Sequence, residues 1–156
     1  MEPKIVTKDA FRVVGMRYVG KNEHGEISQM WGEFVPRSRE IRHGVGAGAG
    51  AYGLCYCPGD AEPGVIEYVA GVPAAALKDI PEGMTGREVP TQTYAVFEAP
   101  GLAGIHRTYD YILKEWLPKS SYQAGDGPDF EYYDESFNPD DPKSTIYIYF
   151  PIKSKA

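Results

Sequence analysis

The chain has 156 residues, 16 basic and 22 acidic, for a formal net charge of −6. That length favours one domain able to bury its own core without staples, and the acidic balance with no basic stripe argues against direct nucleic-acid binding. No apolar run is long enough to span a membrane, no basic-then-apolar leader opens the chain, and Cys55 and Cys57 are too close for an ordinary structural disulfide, so a cytoplasmic setting is expected.

Residues 11–18 (FRVVGMRY) read as a strand closed by Gly20. Ile27, Met30, Trp31 and Phe34 fall at helical spacing across 26–35, with Pro36 next. After a Gly/Ala stretch at 44–53, AYGLCYC (51–57) reads as a strand, CPGDAEPG as a hairpin turn and VIEYVAGV (65–72) as the returning strand. A Pro/Gly-rich connector leads to a strand at 92–98 (QTYAVFE) and a helix at 103–117 that carries Ile105, Tyr109, Ile112, Leu113 and Trp116 on one side. PDFEYYD (128–134) and TIYIYFPI (145–152) are the last two strands, joined by a turn.

The two halves repeat. Gly20 falls on Gly101, VPRS (35–38) on LPKS (117–120), and IEYVAGV (66–72) on IYIYFPI (146–152), at offsets of 81, 82 and 80. The expected fold is α+β: duplicated strand–helix–strand–strand units in one pseudo-two-fold domain, with two antiparallel sheets, a helix on each and a central cleft. Repeat 1 is placed at about 8–73, a connector at 74–91 and repeat 2 at about 92–153. The junction between such halves is a natural ligand pocket.

Twelve tyrosines against six phenylalanines suggest rings wanted for their polar tips as well as their bulk. Alternation puts Ile146, Ile148, Phe150 and Ile152 on one strand face, suited to packing under a helix, and Tyr147 and Tyr149 on the other. It also groups Asp129, Glu131 and Tyr133 against Phe130 and Tyr132. A hairpin can then bring Glu131, Tyr133, Tyr147 and Tyr149 together on the face away from the helix, leaving Tyr68 and Tyr132 beneath the helices. A carboxylate among aromatic faces favours a flat, lipophilic cation. Alternation alone is equally compatible with a solvated Glu131 among ordinary sheet-forming tyrosines.

The ending GPDFEYYDESFNPDDPKSTIYIYFPIK, with EWLPKSSYQAGDGPDFEYYD before it and IPEGMTGREVPTQTYAVFEAPG upstream, resembles the GyrI-like effector-binding domain family. That family includes the ligand-sensing domains of AraC-type and MerR-type multidrug regulators, and stand-alone proteins. The likeness covers essentially the whole chain and is strongest from Ile80 to Lys153. It implies the same duplicated unit and a cleft that binds amphipathic, often cationic, small molecules. By position in E-x-Y it makes Glu131 the counter-ion, with Tyr147 and Tyr149 lining the pocket and Tyr109, Trp31, Tyr52 and Tyr56 as further contributors. With no helix-turn-helix present, the resemblance implies a stand-alone binding module, acting alone or with a separate regulator. Self-association is left open. The resemblance extends to members that are hydrolases of reactive electrophiles such as cyclopropane-bearing natural products and use a Glu and a Tyr in the same cleft, so it implies Glu131 as general base with Tyr133 as the enzymatic alternative; a gyrase-binding module is the third.

Neither a cofactor nor a metal is expected. His24, His43 and His106 have no ligand spacing with the cysteines, which read as small buried side chains. GVGAGAGAYG (44–53) precedes a strand rather than opening a helix, so it reads as a rim of the cleft and not as a phosphate loop.

Overall fold

Nine strands and two main helices organise the described residues, 2–46, 48–57 and 62–155, of the computed structural model. In chain order they are β1 (Lys4–Lys8), β2 (Phe11–Gly20), α1 (Glu26–Arg37, continued by a 3-10 turn at Ser38–Glu40), β3 (Ala51–Tyr56), β4 (Ile66–Ala74), β5 (Thr85–Val89) and β6 (Gln92–Pro100). Helix α2 starts as Gly104–Tyr111, widens into a π-helical stretch at Ile112–Trp116 and ends at Leu117–Lys119. Strands β7 (Tyr122–Ala124), β8 (Asp129–Tyr133) and β9 (Thr145–Ser154) follow.

Helix α1 forms where the apolar spacing places it. Met30 and Phe34, one turn apart, bury against β2 and β4, while Ile27 and Trp31 lie at the edge of that contact. Its start is held by Asn22, whose Oδ1 accepts the Ile27 N–H at 3.0 Å, and by Glu26, whose Oε1 accepts the His24 N–H at 2.6 Å. Pro36 sits inside the last turn rather than after it. In α2 the π stretch buries Ile112 and leaves Leu113 half exposed, so the single apolar side expected for this helix is split.

All nine strands join one sheet, in the order β1-β6-β9-β8-β3-β4-β2-β5 with β7 paired to β9. The expectation of two sheets is therefore corrected. Strands β3 and β8 pair across the junction from Ala51↔Tyr133 to Cys55↔Asp129, and satisfying both inner edges merges the halves. The stretch placed in the connector contains β5, which pairs with β2, as β1 pairs with β6. Each half's leading strand thus borders the other half. Gly15 and Gly71 let β2 and β4 approach closely: a Cβ on Gly15 would lie 1.9 Å from the Ala70 carbonyl oxygen.

Both helices lie on one face, α1 over β2 and β4 and α2 over β6, with a gap between them above β3 and β8. On the other face Val13, Leu54, Val69, Val89, Tyr94 and Phe130 are buried against one another without a covering helix, so the sheet curls around them. The loop before β3 turns through left-handed glycines at 46, 48 and 50. Residues 58–61 of the expected CPGDAEPG turn lie outside the described residues. Among the described residues, no helix is long and apolar enough to cross a membrane.

Candidate functional site

The gap between the helices is a cleft of about 1290 Å³ with a sheet floor. The registers decide what the floor presents. Glu131 lies opposite Gly53 on one side and Ile148 on the other, and Cys55 lies opposite both Asp129 and Tyr68. Partners in an antiparallel pair share a face, so Glu131, Asp129 and Tyr68 all point to the helix side.

Glu131 is 7% exposed. Its Oε1 accepts hydrogen bonds from the Tyr133 hydroxyl at 2.6 Å and the Tyr68 hydroxyl at 2.9 Å, and the Tyr68 oxygen accepts the Trp31 Nε1–H at 3.0 Å. Burial pushes the Glu131 carboxyl up to about 6, against the pull of the two tyrosine donors, with the nearby Asp129 charge adding to the rise. The same burial drives the Tyr68 and Tyr133 hydroxyls well above the ordinary phenol range, so both remain protonated donors. Trp31 closes this group, edge-on to Tyr133 at 5.5 Å and to Tyr68 at 6.5 Å.

One pleat along β8, Asp129 repeats the arrangement: its Oδ2 accepts the Tyr109 hydroxyl of α2 at 2.6 Å, and burial raises its carboxyl above the usual range. Cys55 lies beside both acids, and burial together with their charges holds its thiol protonated. Gly53 makes the space. A Cβ there would stand 1.9 Å from the Tyr68 hydroxyl and 3.0 Å from Glu131 Oε1. The α2 wall is apolar, with Leu102, Ile105 and Leu113 facing the opening.

The eight sequence-selected residues divide between the faces. Glu131, Tyr133, Tyr109 and Trp31 come together in the cleft. Tyr147 and Tyr149 do not join them: they pair with Tyr132 and Phe130, and Tyr149 stacks on Phe130 at 4.6 Å on the opposite face. Tyr52 is on that face too, 5.1 Å from Tyr132, and Tyr56 packs against its core although it also borders the cleft. The face assignment in the sequence reading is corrected accordingly. The gap lies on the helix side, so the Ile148 row shares its face with Glu131 and Tyr132 lies away from the helices; Tyr68 lies beneath α1, as expected, and from there reaches into the cleft.

Sequence reasoning named neither Tyr68 nor Gly53 as candidates, and left Asp129 out although alternation groups it with Glu131; the register of β8 against β3, and of β3 against β4, brings the three together. Cys55 is half-buried and Cys57 exposed, both with free thiols, so the pair is not the buried pair expected. Among the described residues of 44–53 none lines the cleft, and Gly53 approaches it from the floor, so the expected rim is not seen there. His106 is a rim residue with 94% of its side chain exposed, and His43 pairs with Asp79 at 2.8 Å. Among the described residues no group of three or more His, Cys, Asp or Glu side chains is placed to hold a metal ion.

The sequence profile of the GyrI-like small molecule binding domain matches residues 1–153. Transcriptional regulator BrlR of Pseudomonas aeruginosa is 38% identical over 154 residues, covering 97% of this chain and 56% of the regulator, so the chain spans little more than half of that curated relative. Among solved structures, SAV2435 bound to tetraphenylphosphonium superposes with a TM-score of 0.78 at 20% identity, covering 98% of this chain and 94% of that one. The EcmrR C-terminal domain does so with a TM-score of 0.74 at 13% identity, covering 98% of each chain. At these identities the structural likenesses establish the fold.

Proposed function

The chain belongs to the GyrI-like small-molecule binding domain family, and from that premise we propose that it takes hydrophobic cations into the cleft between α1 and α2, with Glu131 as the counter-ion. One observation carries the reading: Glu131 is buried, yet the groups that act on it are two neutral hydroxyls and a second acid, with no basic side chain among them. A buried carboxylate without a cation is costly to hold, and an arriving cation relieves that cost. The rings of Trp31, Tyr68 and Tyr133 add about 0.5–2 kcal/mol each where their faces meet the charge, and the apolar α2 wall accepts the ligand's hydrocarbon. The likeness to a structure bound to tetraphenylphosphonium supports the same ligand class. The kinship with BrlR supports a sensing role tied to transcription control.

The test is titration of tetraphenylphosphonium into the protein by calorimetry. Glu131→Gln should weaken binding at least tenfold, the loss of one charge-assisted contact worth about 1.5–3 kcal/mol. Because only the carboxylate pairs with the cation, affinity should fall as pH drops through about 6. Equal affinity for the two proteins sinks the counter-ion reading.

A second reading is hydrolysis of an electrophilic small molecule. It is favoured by a carboxyl raised to about 6 and held 2.6 Å from the Tyr133 hydroxyl, a base and a donor side by side. In it Glu131 deprotonates water and Tyr133 holds the leaving oxygen. Turnover of a cyclopropane or ester probe that is lost in Glu131→Gln would place this reading first.

A further inference from the structure

Among the described residues four carboxylates line the cleft: Glu67, Asp126, Asp129 and Glu131. The fold supplies cations to two of them. Glu67 accepts from the guanidinium groups of Arg17 and Arg87, and Asp126 sits 3.2 Å from Lys153 Nζ. Lys21, at the rim, is committed to Glu62 at 3.4 Å. Asp129 and Glu131 receive tyrosine hydroxyls, Asp129 a backbone N–H as well, and among the described residues neither receives a cationic side chain.

These two are also the acids on the floor. They alternate on one strand, so both project to the same side, about 6.5–7 Å apart along β8. The cavity is larger than the ~300–1000 Å³ usual for a single drug-sized ligand, and its rings and apolar wall run alongside both acids. Tyr109 at Asp129 plays the part that Tyr133 and Tyr68 play at Glu131. Each donor favours the ionised acid without neutralising it.

We propose that the cleft selects elongated aromatic dications, Glu131 taking one charge and Asp129 the other. The ligand is a rigid body with two positive centres separated by one pleat of a strand, as in a 4,4′-bipyridinium. This rests on the cation reading above and sharpens it from one charge to two. It makes Asp129 a specificity-determining residue, because a monocation satisfies only one acid and leaves the other buried beside it.

The experiment compares two probes of matched shape at fixed ionic strength: benzyl viologen, and N-benzyl-4-(4-benzylphenyl)pyridinium, which keeps both benzyl groups and replaces the second charged nitrogen by carbon. Wild-type protein should bind the dication about tenfold more tightly, the increment of one further charge-assisted contact, and Asp129→Asn should abolish most of that preference. A long flexible bis-pyridinium, with charges too far apart for the two acids, should lose the advantage on wild-type protein, an arm that needs no variant to fold. Equal affinity for dication and monocation, an advantage kept by the long probe, or an undiminished preference in a folded Asp129→Asn protein each overturns the proposal. If neither probe nor tetraphenylphosphonium binds, the cation reading itself falls, and this inference falls with it.

Discussion

Glu131→Gln should make the free protein more stable at neutral pH while it weakens cation binding. The carboxyl rises from 4.5 in the unfolded chain to about 6 in the fold, so the folded state holds its proton more tightly. That contribution to stability is fully present below about pH 4.5 and is lost as pH rises through about 6, by an amount the shift converts to about 2 kcal/mol. Glutamine keeps an oxygen to accept from Tyr68 and Tyr133 but has no charge to bury, so the variant escapes the loss. Urea unfolding at pH 4 and at pH 7.5 measures it: the stability of the variant relative to wild type should increase by about 2 kcal/mol between the two. For a chain of this length that is a relative gain of about 4–8 °C in melting temperature. Saturating cation should restore wild-type stability at pH 7.5 and help the variant little. A stability difference that does not change between the two pH values would show that Glu131 bears no such cost, and the case for it as an unmatched counter-ion would collapse.

Gly53→Ala sets a methyl group 1.9 Å from the Tyr68 hydroxyl, and Tyr68 must move. The overpacking should cost about 1–3 kcal/mol. Losing the Tyr68 hydrogen bond, which pulls the Glu131 carboxyl down, should shift the midpoint for cation binding to higher pH; an unshifted midpoint would mean that the contact is not tight. Tyr147→Ala should leave tetraphenylphosphonium affinity within about twofold, since Tyr147 pairs with Tyr132 on the face away from the cleft. A large loss in a folded protein would put ligand on the curled face instead.

The elements themselves were legible in the sequence because each carries a clear period. Met30 and Phe34 mark α1, and the Ile146, Ile148, Phe150 row marks β9 as a strand. Three strands were missed for physical reasons. In β1 and β5 the pattern is short, and their burial depends on pairing with the opposite half; β7 has three residues and is held by β9. Alternation singled out Glu131 but misplaced the side chains around it. Both faces of β9 are apolar or aromatic, one covered by α2 and the other by the curl of the sheet, so alternation sorts its residues without saying which face meets the cleft. Pairing Glu131 with Ile148 decides the matter, and pairing is a long-range fact.

The same register makes the floor of the cleft asymmetric across its two central strands. Leu54 and Phe130 are paired at the centre, between Gly53↔Glu131 and Cys55↔Asp129. A two-fold axis through the central pair exchanges Cys55 with Glu131 and Gly53 with Asp129. The second half therefore supplies both acids, while the first half puts its smallest side chains at the equivalent positions. Were both strands acidic, four carboxylates would crowd one floor, and like charges so close could not all ionise. Were both small, nothing would attract a cation. Gly53 leaves room for the Tyr68 hydroxyl to reach across from β4, and Cys55 lies between Tyr68 and Asp129 without adding a charge. The floor holds two acids and not four because of this division between the strands, so a substitution that adds a third, such as Cys55→Glu, should destabilise the protein more at pH 8 than at pH 5. That dependence is measurable by the same urea titrations, and a pH-independent cost would refute the like-charge argument.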